Sequence, residues 1–265
     1  MSLNNYLKDL SYRYYIGRNT TENTKIVTSI NALENNLNYY FGNKILEICT
    51  FGSYTRDTML PRRYDDNSDV DIMIIFDHDK CGVQSGTYRN WLLDFANTKY
   101  SRSSVVKDFP TVVVDMQHIK LDLVPTVIEK SYWSGTTIHI PNSGNNWQST
   151  DPDGFNEILV RANTKYCSIV KPIIRLLKAW NCNNGYPYSS YQLEQIIADM
   201  NFNGDNYETG FFYAIDKLPT NNLTYAGQQK VNTLINSKKW IKEYLDRGDI
   251  IKAKEWVHKI LPNWL

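Results

Sequence analysis

Asp69 and Asp71 stand two residues apart at the head of an apolar run, Val70-Asp71-Ile72-Met73-Ile74-Ile75-Phe76. In an extended strand, residues at this spacing share a face, so both carboxylates point the same way. Aspartate is disfavoured inside a strand, and a half-buried carboxylate is costly unless it is paired or bound to a cation. A third carboxylate from another strand completes an all-oxygen cage for hard divalent ions. Asp122, between Leu121 and Leu123, and Asp115, on the other arm of an expected hairpin, both qualify. Residue types alone leave that choice open. Two metals held in this way serve in-line phosphoryl or nucleotidyl transfer.

Gly52-Ser53 lies upstream, at the end of the β-branched and aromatic run Ile45 to Phe51. Glycine at a strand-to-helix turn lets backbone amides approach a phosphate, and a serine hydroxyl can donate to one. A Gly-Ser turn alone says little. Followed by Asp-x-Asp on the next strong strand, it becomes specific.

These residues need a sheet to hold them. Ile45–Phe51 and Val70–Phe76 read as strands, the second apolar enough after Asp71 to be buried on both faces. Residues 88–100 read as a helix, and 111–116 with 119–124 as a hairpin around Gln117-His118. Before the sheet, Ile26, Ile30, Leu33 and Leu37 share a helical face, which predicts one long helix from Leu3 to Phe41, ended by Gly42-Asn43. Residues 134–156, rich in Gly, Asn, Ser and Pro, read as loop and mark a change of architecture. Everything after is helical: Asp151-Pro152 reads as an N-cap with proline at the first position, and Pro172 kinks or restarts the helix after it. Ser189 with Gln192 matches a capping box, and Gly248-Asp249 separates the last two helices. The expected organisation is a core with an N-terminal brace helix over 1–150 and a helical domain over 151–265.

Composition narrows the function. Hydrophobic residues make up 42%, with 19 Tyr and 7 Trp, which excludes a disordered chain. A net charge of +1 argues against a protein that grips long nucleic acid, whose binding is driven by phosphate neutralisation. The four cysteines are scattered without CxxC spacing and the four histidines without HxH or HxxxH, so neither a disulfide framework nor a zinc site is expected. No apolar stretch approaches the ~20 residues of a membrane span, and Met1-Ser2-Leu3-Asn4-Asn5 lacks the basic and apolar regions of a signal peptide. The expected location is the cytoplasm.

Gly52-Ser53-Tyr54-Thr55-Arg56-Asp57-Thr58 with Ser68-Asp69-Val70-Asp71-Ile72 resembles the signature of the DNA polymerase beta-like nucleotidyltransferase superfamily. Within it the chain is most similar to the bacterial cGAS/DncV-like nucleotidyltransferases. Ile119-Lys120-Leu121-Asp122-Leu123-Val124-Pro125 is similar to the strand bearing that family's third aspartate, which favours Asp122 over Asp115. Arg175-Leu176-Leu177-Lys178-Ala179-Trp180-Asn181 resembles a helix with a phosphate-binding lysine. Ser189-Ser190-Tyr191-Gln192-Leu193-Glu194 resembles the helix start that supplies a serine to the triphosphate and an aromatic ring to the base.

The resemblance implies an α+β, bilobed polymerase beta-like fold: a mixed β-sheet core with a long N-terminal helix, and a C-terminal helical domain closing a nucleotide cleft. It implies that Asp69, Asp71 and Asp122 bind two Mg²⁺ ions, for which Mn²⁺ can substitute, and carry out catalysis. Gly52, Ser53, Lys178, Ser190 and Tyr191 then bind nucleotide. The implied activity is synthesis of a cyclic di- or trinucleotide second messenger from ribonucleoside triphosphates in anti-phage defence. The enzyme would be a monomer needing no long nucleic acid, its product read by a cyclic-nucleotide-responsive effector. RNA tailing of the poly(A) or CCA type, or transfer to a small molecule, uses the same three aspartates and is the alternative. Read without the family, Lys171, Arg175 and Lys178 form one helical stripe of the kind that is ordinarily solvated; a serine placed like Ser190 is ordinarily a cap, but Ser189 can cap here and frees it, and a core aromatic is the alternative for Tyr191.

Overall fold

The computed structural model describes residues 2–131, 135–143 and 145–262. The N-terminal helical pattern is cut in two, α1 over Leu3–Arg13 and α2 over Thr21–Phe41, where a single helix was expected. Gly17 opens the break, and Thr20 closes it with an extended backbone and a hydroxyl that accepts the Asn23 N–H at 3.2 Å. That is an N-cap, and a new helix starts there. The two pieces also belong to different units. One unit contains Gly17–Arg56 and Asn67–Gly154; the other contains the chain up to Ile16, Asp57–Asp66 and Phe155 onward.

In the first unit, β1 (Ile45–Phe51) runs into a one-turn helix α3 (Gly52–Thr55), and β2 spans Asp69–Phe76. Then follow α4 (His78–Cys81), α5 (Ser85–Lys99), β3 (Ser104–Val106), β4 (Val112–Asp115) and β5 (Lys120–Ser131). Two further strands, β6 (Gly135–Pro141) and β7 (Trp147–Thr150), replace most of the loop expected over 134–156, of which residues 134 and 144 lie outside the described residues. The β-branched run Thr136-Thr137-Ile138 finds a partner because β5 extends past the hairpin, pairing Ile128 with Ile138. Between β6 and β7, Asn142 and Asn146 are bonded to each other.

The sheet runs β1-β2-β5-β4-β3, with β6 and β7 added beside the far half of β5. β2 and β5 are parallel and the other pairs antiparallel, so the sheet is mixed. One face of β2 presents Val70, Ile72, Ile74 and Phe76, all fully buried, and Phe76 meets Phe41 of α2 edge-on and Tyr88 of α5 at a tilt. The other face carries Asp69 and Asp71, then Met73 and Ile75, which are also buried. Burying each such side chain contributes about 1.5–3 kcal/mol, enough to set the register and with it the placement of the aspartates.

The second unit is helical: α1, then α6 (Gly154–Lys165), α7 (Val170–Asn183), α8 (Ser190–Ala198), α9 (Tyr207–Lys217), α10 (Tyr225–Asp246) and α11 (Ile250–Ile260). The Asp151 carboxylate caps the start of α6, accepting the Gly154 N–H at 2.9 Å. Cys167 and Ser168 adopt positive φ between α6 and α7, and Pro172 falls in the first turn of α7, where a missing N–H costs nothing. α7 is buried on every side from Ile173 through Asn181, Arg175 and Lys178 included. Such a helix is the core of its unit and not a solvated surface element. Among the described residues no helix is long and apolar enough to cross a membrane.

Candidate active site

Chain direction and strand register bring the first set of residues together. In the parallel pair β2–β5, Asp71 lies opposite Asp122 and Asp69 opposite Lys120, while Phe51 of β1 lies opposite Asp71. Cross-strand partners point to the same side of a sheet, so Asp69, Asp71 and Asp122 share one face. Asp115 also points to this face, but across β4–β5 it lies opposite Lys120. It is therefore two strands from Asp69, at ~10 Å from the strand spacing alone, with a lysine in between. Asp122 is on the adjacent strand, and the register favours it over Asp115.

Gly52 follows Phe51 directly, so the turn into α3 sits beside Asp71. A Cβ built on Gly52 would lie 1.9 Å from Oδ2 of Asp71, and the residue holds φ at +77°. Both facts require glycine: one for space, one for backbone freedom. The Thr55 hydroxyl donates to the Gly52 carbonyl at 2.9 Å, tightening the turn, and Ser53 is the first residue after it.

Carboxylates predominate around this face. Burial is the first cause that pushes Asp122 up to about 7, and the neighbouring negative charges of Asp69 and Asp108 raise it further; Lys120 and Thr111 oppose them. A small cavity of about 350 Å³ is lined by Asp69, Asp108, Asp115, Asp122, Asn67 and Lys120, among others. Lys120 is the one cation in that lining, and its ammonium donates to Oδ1 of Asn67 at 2.9 Å.

An oxygen-only donor set of this kind suits hard divalent cations, and a glycine where any Cβ would collide keeps the space beside Asp71 clear. Among the described residues no three His, Cys, Asp or Glu side chains converge as they stand on one ion position. The carboxylates fit a metal in type, face and strand adjacency.

In the helical unit the predicted residues have other partners. Lys178 is not part of a solvated stripe: its side chain is 5% exposed and its Nζ lies 2.9 Å from Oε1 of Glu194, itself 1% exposed. The same oxygen accepts the Thr58 hydroxyl at 2.8 Å. Arg175 is buried, donating from Nε to the Ser11 carbonyl and from an Nη to the Asp57 carbonyl, over the Tyr15 ring. Burial pulls its guanidinium down to about 10. Lys171 pairs with the Asp57 carboxylate at 2.9 Å. Ser189 caps α8, accepting the Gln192 N–H at 3.2 Å, which places Ser190 and Tyr191 in the first turn. Tyr191 is 48% exposed with its ring edge-on to Phe155. Sequence reasoning passed over Thr111, Asp108 and the partner role of Glu194. Glu194 had a signal, an acid in the hydrophobic stretch Leu193 to Ala198 of an amphipathic helix, but its partner lies on the preceding helix.

Comparison with known proteins bears on this site. A family model for the Second Messenger Oligonucleotide or Dinucleotide Synthetase (SMODS) domain matches residues 1–163. A probable cyclic nucleotide synthase of Bacillus cereus (strain VD146) is 33% identical over 122 residues, 43% of this chain; the match spans 37% of that relative's length. Among solved structures, the Bradyrhizobium diazoefficiens CdnG in complex with GTP has a TM-score of 0.70 at 12% identity, covering 97% of this chain and 98% of its own. The Elizabethkingia meningoseptica cyclic dinucleotide synthase CdnE with GTP and Apcpp reaches 0.65 at 19% identity, over 91% of this chain and 98% of its own. The Vibrio cholerae cyclic AMP-GMP synthase DncV, with a linear intermediate, reaches 0.63 at 12% identity, over 82% and 68%. At these identities the structures establish the fold, which is α+β and polymerase beta-like. The resemblance to cGAS/DncV-like nucleotidyltransferases is borne out, and divalent metal ions belong to the chemistry of that group. The chain belongs to the SMODS family.

Proposed function

We propose that the protein is a nucleotidyltransferase that joins ribonucleoside triphosphates into a cyclic di- or trinucleotide signal. The observation that carries this reading is the pairing of Asp71 with Asp122 across β2–β5, beside a glycine that leaves no room for a side chain. Asp69, Asp71 and Asp122 would hold two Mg²⁺ ions, which when bound would supply charge neutralisation for the transfer. Asp122 orients the acceptor's 2′- or 3′-hydroxyl and favours loss of its proton. The hydroxyl oxygen forms a bond to the donor's α-phosphorus as the bond to the β-phosphate oxygen breaks, and pyrophosphate leaves. A second round on the linear product closes the ring.

Gly52 and Ser53 cradle phosphate oxygens through backbone amides and a hydroxyl. Tyr191, with half its surface exposed, stacks on a base, and Ser190, whose neighbour Ser189 already caps the helix, donates to the triphosphate. Lys178 reaches a phosphate only by exchanging Glu194 for it. The product acts in anti-phage signalling through a cyclic-nucleotide-responsive effector, and the enzyme works as a cytoplasmic monomer.

Incubation with the four ribonucleoside triphosphates and Mg²⁺, followed by phosphatase, tests this directly. Phosphatase-resistant cyclic products, absent from the Asp69→Ala, Asp71→Ala double variant, are expected. Linear tails on added RNA without any cyclic product would overturn the reading in favour of RNA tailing.

A further inference from the structure

We propose that the far end of the sheet is a docking slot for an extended, arginine-bearing peptide of a partner protein, which adds as a strand beyond the end of β2. β2 stops at Phe76, opposite Val127, while β5 runs on to Ser131 with β6 along its other edge. From Ile128 onward β5 therefore has a strand partner on one side and, among the described residues, none on the side that β2 has left. Alternate residues of a strand turn their N–H and C=O groups to the same edge, and an unpaired edge is a template for another chain. A cavity of about 850 Å³ lies here, against about 350 Å³ at the carboxylates. Val127, Ile128, Glu129 and Lys130 all border it, although neighbours along a strand point to opposite faces. A space at the strand's edge, where the next strand would run, meets all of them.

Register assigns the walls to faces. Val127 lies opposite both Phe76 and His139, so Glu129 and His139 share the Phe76 face, and Trp147, opposite Pro141, shares it too. The Glu129 side chain is 74% exposed. The His139 Nε2 is buried and lies 3.2 Å from Oε2 of Glu129, yet it makes no hydrogen bond among the described residues. An arginine supplies what this wall lacks: N–H donors for the carboxylate and for an unprotonated Nε2, and a cation to lie on the indole. Charge agrees, since the carboxylates of Glu47, Asp77, Asp79 and Glu129 outnumber Lys130 around the cavity, even with Asp77 paired to Lys80 at 2.6 Å. On the opposite face Ile128 favours an aliphatic neighbour, and Lys130 disfavours a second base there. The slot lies at the end of β2 away from Asp69 and Asp71, so it stands independently of the reading given to them.

Fluorescence polarisation tests this with the labelled peptide Val-Arg-Val-Arg-Val-amide, titrated with the full chain. Saturable binding is expected, weakened at least ~10-fold when glutamate replaces both arginines or in Glu129→Lys, the worth of a charge-assisted hydrogen bond. Glu129 is exposed, so that variant is expected to keep the fold, as circular dichroism checks. Two further peptides are N-methylated, one at the valine amides and one at the arginine amides. Only one edge of an added strand faces β5, so one of the two should lose binding and the other keep it. Absence of saturable binding overturns the proposal. So does binding indifferent to both methylations, which is ionic adsorption, or a Glu129→Lys effect below about twofold. Competition by arginine amide as strong as by the peptide would make this a small-cation site and overturn the strand.

Discussion

The sheet face around Asp71 and the interior of α7 both gather charged groups, and they do so in opposite ways. In α7 each charge has its match: Lys178 with Glu194, Arg175 with two carbonyls and the Tyr15 ring, Lys171 with Asp57. On the sheet face Asp69, Asp108, Asp115 and Asp122 line one cavity with a single lysine, and burial, then the negative charges of Asp69 and Asp108, push Asp122 up to about 7. A matched buried charge is part of the scaffold, since breaking it leaves a bare ion in a low-dielectric interior. A mismatched one is held by the surrounding fold against its own repulsion, and it is relieved by whatever cation arrives. The first kind sets shape, the second sets chemistry.

The contrast yields predictions that differ in kind. Asp69→Ala with Asp71→Ala should lower nucleotidyl transfer by ~10³-fold or more, the scale of losing preorganised charge at a transition state, while circular dichroism shows the fold retained. A double variant that unfolds would erase the distinction between the two regions. Glu194→Ala should do the reverse, costing about 3–5 kcal/mol by stranding the Lys178 ammonium. Adding Lys178→Met to it should recover most of that loss, as read by urea denaturation.

A pH series sharpens the sheet side. Asp122 has a folded pKa of about 7 against an ordinary 3.8, so the folded state binds its proton more tightly than the unfolded chain does. The stabilisation is complete below the ordinary value and is lost as pH climbs through about 7. Without metal, the melting temperature should therefore fall between pH 5 and 8 more steeply in wild type than in Asp122→Asn. Equal slopes in calorimetry would count against an uncompensated carboxylate. The smallest effect belongs to Ser189→Ala, which removes the cap of α8 and should cost ~1 kcal/mol; a larger effect on activity than on stability would tie the α8 start to substrate.

Much of the sheet side was legible because its signals are local. β1 matches its apolar run, the turn at Gly52 follows from residue type, and strand periodicity alone aligns Asp69 with Asp71. Residue types left Asp122 and Asp115 level, and the family resemblance favoured Asp122; the long-range pairing that sets it beside Asp71 is encoded by no spacing. The break at Gly17 was missed because apolar periodicity resumes at Ile26 as though uninterrupted, leaving only a glycine and a threonine to mark it. β6 and β7 were missed because their polar residues gain strand partners only through the extension of β5. Lys178 looked solvated because a stripe of cations gives no hint of an acid waiting on the next helix.

The parallel pairing of β2 with β5 has one more consequence. Asp71 and Asp122 become neighbours only after the intervening chain, through α5, β3 and β4, has been laid down and closed. Such pairings form late and slowly. A growing or half-folded chain therefore owns no complete set of carboxylates, and a divalent ion can tell it from the finished protein. Under the proposed reading the ion would favour the folded state by mass action, so cation binding and the last increment of stability would come in the same event.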